Sequence, residues 1–185
     1  GALANGKRMR PFYVIETGAM IDAPEKSALR TAAALECVHC YSLIHDALPC
    51  MDDDDFRRGQ PTVHKAFDEA TAVLAGDALL TLAFKILASR ETHQDPDIRL
   101  RLIERLADSA GACGMVGGQM IDMLEEESPR DLNTITRMQR LKTGALISYS
   151  VEAGAILGGA SEAEHNALHG FAHDLGLAFQ ISDDH

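Results

Sequence analysis

Tryptophan is absent, proline occurs only six times, and aromatic side chains make up 5% of the chain. So few prolines leave long stretches free to be helical, and the alternating β-branched runs that strands need are scarce. Basic residues are also in the minority, 17 against 28 acidic ones, for a formal net charge of −11. That balance argues against a general binder of nucleic acid or of anionic membrane, so any polyanionic ligand must be drawn to a local site. No stretch of about 20 apolar residues stands out, and the start GALANGKRMRP has no apolar run behind its basic residues. A soluble protein without a membrane span is the expectation. The four cysteines are Cys37, Cys40, Cys50 and Cys113. The first two form CVHC, but no second pair at zinc spacing follows, so they read as core-packing, reduced thiols of a cytoplasmic protein.

What is present fits one large all-α domain: 185 residues, 46% hydrophobic, rich in Ala and Leu. Helices are expected over about 11–21, 27–47, 69–90, 96–124, 131–158 and 161–182, with Gly, Pro or charged residues at the breaks. The segment ALRTAAALECVHCYSLIHD is apolar around most of its circumference, as in a helix buried in the middle of a bundle. Its polar residues therefore need a purpose. His39 and Asp46 lie seven residues apart and so fall within about 20° of each other on the helix face, with Ser42 between them. They either point into a polar cavity or satisfy neighbours in the core.

The stretch HDALPCMDDDDFRRG follows. In an unbroken helix Asp46 and Asp52 would point about 240° apart. Pro49 disfavours helix at Leu48 and removes a hydrogen bond, so the chain is expected to leave the helix and bring Asp52 back toward Asp46. The acidic run lacks the glycine and glutamate positions of a calcium-binding EF-hand loop. A second acidic pair, Asp183 and Asp184, ends an apolar helix. Cations stand at other breaks: Lys7, Arg8 and Arg10 in GKRMRP, Arg57 and Arg58 in FRRG, and Lys142 beside Thr143 in LKTG. Each pair alone would be a solvated surface feature. Together, two acidic clusters and several cations suggest carboxylates that hold divalent cations and arginines that hold phosphate.

The ordered set GKRMRP, VHCYSLIHDALPCMDDDDFRRGQPTVHKAF, AGDALLTLAF, GGQMID, RLKTGAL and GLAFQISDD resembles the trans-isoprenyl diphosphate synthases, most closely the bacterial farnesyl diphosphate synthases. The resemblance spans nearly the whole chain. It implies a bundle of long helices around a central cavity, assembled as a homodimer. It also implies condensation of an allylic diphosphate, dimethylallyl or geranyl, with isopentenyl diphosphate, using about three Mg²⁺ ions per active site. By the same resemblance Asp46, Asp52 and Asp183 are the metal ligands. Arg57 and Lys142, with Thr143 and Gln180 beside them, hold the allylic diphosphate. Lys7, Arg10, His39 and Arg58 hold isopentenyl diphosphate, and Gln119 and Asp122 line the cavity. Tyr41, with Ser42 next to it, floors the tunnel for the growing chain and favours a fifteen-carbon product. Geranylgeranyl and geranyl diphosphate are the alternative products.

The chain departs from that pattern at Ala47, where the family has a second leading aspartate. Loss of such supporting groups around a metal typically costs about 10- to 100-fold. The family pattern also continues past the end of this sequence, begins before its start, and has a longer loop at EEESPRD. The expectation is a single isoprenoid synthase domain over 1–185, incomplete at both ends. The rival expectation is a non-catalytic regulatory subunit of a heteromeric prenyl synthase.

Overall fold

The computed structural model describes residues 8–125 and 131–183, with the side chains of 125, 177 and 179–183 left aside. The fold is all-α: α1 (Met9–Met20), α2 (Glu25–Asp46), α3 (Val63–Ala66), α4 (Glu69–Ala88), α5 (Pro96–Ala110), α6 (Met115–Glu125), α7 (Leu132–Gln139), α8 (Ala145–Gly158) and α9 (Glu162–Asp183). A two-residue hairpin, β1 (Phe56–Arg57) with β2 (Gln60–Pro61), interrupts the helices after α2.

Helix starts follow the local chemistry. Asp68 caps α4 by accepting from the Thr71 N–H at 2.7 Å, Asp95 caps α5 ahead of Pro96, and Asp131 caps α7. Ser161 and Glu164 form a reciprocal capping box at the start of α9, with the Ser161 N–H donating to Glu164 Oε2 at 2.7 Å. Gly159, at φ 66°, closes α8 in the left-handed conformation.

Two expectations about helices need correction. The stretch 96–124 is not one helix: α5 stops at Ala110 and α6 starts at Met115, because Gly111 and its neighbours turn the chain. The stretch 131–158 carries a π-helical turn at Arg140–Gly144, between α7 and α8. A third correction concerns α4, whose 20 residues are long and apolar enough to cross a membrane by length and composition. In this fold its Ala72, Gly76, Ala83 and Leu87 are buried and the helix packs against α2.

The core lies where α1, α2, α4, α5 and α8 meet, around Val14, Leu35, Val38, Leu87, Leu102 and Ile156. Tyr149 is fully buried there, and its hydroxyl donates to the Leu102 carbonyl at 3.0 Å. That bond matters because a buried hydroxyl left unpaired costs about 1–3 kcal/mol. Helices α1 and α8 touch backbone to backbone. A Cβ on Gly154 would sit 2.6 Å from the Gly18 nitrogen and 2.9 Å from the Val14 carbonyl oxygen. A cavity opens beside the C-terminal half of α2, lined from that helix by His39, Tyr41, Ser42 and Asp46.

Candidate active site

Helix α2 ends at Asp46, as Pro49 requires, and the chain doubles back so that the Asp52 N–H donates to the Asp46 carbonyl at 2.8 Å. The turn is tied again by Asp53 N–H to Leu48 carbonyl at 3.1 Å. The hairpin that follows places Arg57 beside this turn, 3.8 Å from Asp54. Arg10 arrives from α1, and its guanidinium donates to His39 Nδ1 at 3.3 Å.

Lys142 and Thr143 come from the π-helical turn. A π turn adds one residue to the helical repeat and shifts the side chains it carries, a feature frequent at functional sites. The turn lies close against α6 only because Gly118 is there: a Cβ would fall 2.7 Å from Lys142 Cα. Lys142 Nζ reaches Asp122 Oδ2 at 2.7 Å.

These pieces enclose a cavity of about 680 Å³ lined by Arg10, His39, Tyr41, Ser42, Asp46, Asp52, Arg57, Gln119, Lys142 and Thr143. Its remaining wall is apolar and comes chiefly from Met115, Val116, Met120 and Met123 on α6 and Leu146 on α8. Arg58 stands outside the lining, although its charge acts on His39. Asp122 enters through Lys142. Lys7 and Asp184, with the side chains of Gln180 and Asp183, lie outside the described residues, as does 126–130 of EEESPRD.

The electrostatics of the cavity are unusual for so acidic a chain. Burial pushes the Asp46 carboxyl up to about 6, with Asp52 adding to the rise while Lys142 and Arg57 oppose it. A buried carboxylate beside a second one is short of positive charge. His39 is driven the other way, down to about 3, first by burial and then by Arg10, Arg58 and Arg57. The imidazole is therefore neutral at pH 7 and accepts from Arg10. The side-chain oxygen of Gln119 is buried with no hydrogen-bond partner among the described residues, so the cavity holds an acceptor that a ligand would satisfy. The Asp46 and Asp52 carboxylates, which line one cavity, are a hard-oxygen donor set, which suits a divalent cation such as Mg²⁺.

The described residues also bring Asp53, Asp55 and His64 together, with one donor atom from each within 4.8 Å of the others. Here the charge already has a resident partner, because Lys65 Nζ sits 2.8 Å from Asp55. His64 Nδ1 meets Thr62 Oγ1 at 3.1 Å, and the Thr62 hydroxyl donates to the Asp54 carbonyl at 2.7 Å. The cluster fastens the acidic turn. The CVHC thiols are buried: burial and Glu36 raise Cys37, and burial, Glu36 and Cys37 push Cys40 up to about 11.

Sequence reasoning placed Gln119 of α6 in the cavity but missed the apolar α6 residues Met115, Val116, Met120 and Met123, and also His45, Leu43 and Met51, which line it too. A signal was available for α6, since Val116, Met120 and Met123 follow the i, i+4, i+7 helical repeat just beyond Gly111 and Gly114.

Known proteins resemble this chain along almost its entire length. The chain is 50% identical to the farnesyl diphosphate synthase of Geobacillus stearothermophilus over 182 residues, 98% of this chain and 61% of the relative. It is 48% identical to the farnesyl diphosphate synthase of Escherichia coli, covering 100% of this chain and 62% of that protein. Among solved structures, an FPP/GFPP synthase of Zymomonas mobilis superposes with a TM-score of 0.94 at 56% identity, covering 98% of this chain and 66% of the other. The chain thus spans about three-fifths of the length of the curated relatives it matches. The polyprenyl synthetase family model matches residues 2–185, and with the relatives agreeing over the same span, the chain belongs to the polyprenyl synthetase family.

Proposed function

We propose that the full-length protein is a trans-prenyltransferase that condenses dimethylallyl or geranyl diphosphate with isopentenyl diphosphate to give farnesyl diphosphate. One observation carries the reading: a single cavity has Asp46, Asp52, Arg57 and Lys142 at its polar end and an apolar wall of Met115, Met120 and Leu146. A diphosphate head and a hydrocarbon tail need those two surroundings side by side. About three Mg²⁺ ions, held by Asp46, Asp52 and Asp183, would supply the positive charge that stabilises the leaving diphosphate.

The residues then divide the work. Arg57 and Lys142, with Thr143 and Gln180, grip the allylic diphosphate; Lys142 must exchange Asp122 for a phosphate oxygen to do so. Lys7, Arg10, His39 and Arg58 bind isopentenyl diphosphate, with His39 neutral and held by Arg10. When the allylic carbon–oxygen bond breaks, its electron pair leaves on the diphosphate, and the apolar wall keeps water from the carbocation. The double bond of isopentenyl diphosphate attacks that carbon, and the proton released in forming the new double bond passes to the departed diphosphate. Tyr41 closes the tail end, and geranylgeranyl or geranyl diphosphate is the alternative product.

The assembly is a homodimer, a reading supported by the outer face of α4, where Val73, Leu74 and Leu82 are 40%, 67% and 41% exposed. A cytoplasmic location accords with the four cysteines, none joined in a disulfide. The 1–185 segment is the larger part of one isoprenoid synthase domain.

A second reading, a non-catalytic regulatory subunit, rests on Ala47, which is 2% exposed at the end of α2 where the family pattern has an aspartate. Titration of the full-length protein with geranyl diphosphate, with and without Mg²⁺, tests the site itself. Binding that requires Mg²⁺ and is lost in Asp46→Asn is expected. Failure to bind the diphosphate under either condition overturns the assignment.

A further inference from the structure

His45 is adjacent to Asp46, yet its ring serves the other end of the cavity. It lies one turn beyond Tyr41 on α2, and the two rings meet edge to face, with centroids 5.5 Å apart and planes at 85°. On its far side the imidazole Nε2–H donates to the Val73 carbonyl of α4 at 3.0 Å, which fixes the tautomer. Asp77 Oδ1 stands 3.9 Å from the same nitrogen.

The fit depends on Gly76. A Cβ there would collide with His45 Nε2 and lie 2.9 Å from Cε1, so α4 leaves one gap and the imidazole fills it. Tyr41 is 8% exposed, packs in the buried core and also lines the cavity. Among the described residues the aromatic ring that abuts it is that of His45.

We propose that His45, clamped between Tyr41 and the Val73–Gly76 turn of α4, is a positioning residue that sets how long a prenyl chain the cavity accepts. The inference rests on the prenyltransferase reading. With His45 in its gap, the Tyr41 ring stands across the end of the apolar wall. Without it, a void opens beside Tyr41, the ring can swing aside, and the cavity lengthens toward α4. His45 acts through Tyr41 and touches no reacting atom.

The test measures affinity of the full-length protein for geranyl, farnesyl and geranylgeranyl diphosphate at fixed Mg²⁺, with thermal unfolding followed in parallel. The unsubstituted protein should disfavour the twenty-carbon ligand, and His45→Ala should improve its affinity relative to geranyl diphosphate by about tenfold. Tyr41→Ala should do the same. Because one residue acts through the other, adding His45→Ala to Tyr41→Ala should bring no further shift. Gly76→Ala, which evicts the imidazole from Val73 while leaving it in the chain, gives a second route and should shift the preference in the same direction. An unchanged preference in both His45→Ala and Gly76→Ala overturns the proposal, as does a His45→Ala shift of full size in the Tyr41→Ala background. If the unsubstituted protein binds none of the three ligands, the prenyltransferase reading fails, and that failure is distinct from an unchanged length preference.

Discussion

Helix α2 borders two seams of opposite character. On one side α1 and α8 press together through Gly18 and Gly154, with a missing Cβ as the only spacer and Thr17, Leu35 and Tyr149 sealed around them. On the other side α2 faces α6 and the π-helical turn across a cavity of about 680 Å³ lined by charged and thioether side chains. At Gly154 the first seam has no room for an added atom, whereas the second holds open space. The first seam rests on small residues of α1 and α8 that let backbones close, whereas the cavity brings together charged or polar side chains of α2 and the π-helical turn, His39, Asp46 and Lys142.

The sharpest way to break the contrast is to add bulk where none fits. Gly154→Val would force carbon atoms onto the Gly18 nitrogen and the Val14 carbonyl, both backbone. A loss of about 3 kcal/mol in denaturant unfolding is expected. A change below about 1 kcal/mol would show that the seam can part. On the open side, Lys142→Ala should weaken diphosphate binding about 100-fold in titration while leaving the thermal midpoint nearly unchanged, because the ammonium pairs with Asp122 at the cavity rather than packing in the core.

Acid and base sharpen the comparison further. The Asp46 pKa is raised in the fold to about 6 from 3.8, so its favourable contribution is complete below about pH 4 and is lost as pH rises through about 6. At pH 7 the ionised, partly buried carboxylate is a net cost. Asp46→Asn should therefore stabilise the metal-free protein at pH 7 by about 1 kcal/mol, after discounting for solvent, while abolishing Mg²⁺ binding. His39 has the opposite sign. Its pKa is depressed from 6.5 to about 3, so its contribution is present above about 6.5 and is lost as pH falls toward 3. His39→Gln should flatten the acid limb of a stability profile. The smallest effect belongs far from both seams. Lys26 and Glu91, 3.7 Å apart with side chains 70% and 67% exposed, should contribute under about 0.5 kcal/mol, as a Lys26→Ala melt would show.

Features dictated by nearby residues were legible in the sequence. Pro49 breaks α2, and Asp52 returns to Asp46; the alignment of His39 with Asp46 follows from helical spacing, and both line the cavity. Features set by distant contacts were not. The π-helical turn that carries Lys142 is compositionally an ordinary helix, and its place against α6 depends on Gly118, more than 20 residues earlier. The seat of His45 was hidden for the same reason, since its gap belongs to Gly76 on another helix. The break between α5 and α6 is a different case: Gly111 and Gly114 announced it, but the apolar residues around them fit a continuous helix equally well.

The most direct test of the central claim, that this cavity condenses prenyl diphosphates, is turnover by the full-length protein. Geranyl diphosphate, labelled isopentenyl diphosphate and Mg²⁺ are supplied, products are resolved by chain length, and Ala47→Asp is run alongside. Fifteen-carbon product is predicted from the protein as it stands, with a rate increased about 10- to 100-fold by Ala47→Asp as the supporting carboxylate is restored. Absence of product from both proteins, with their folds intact, would contradict the account.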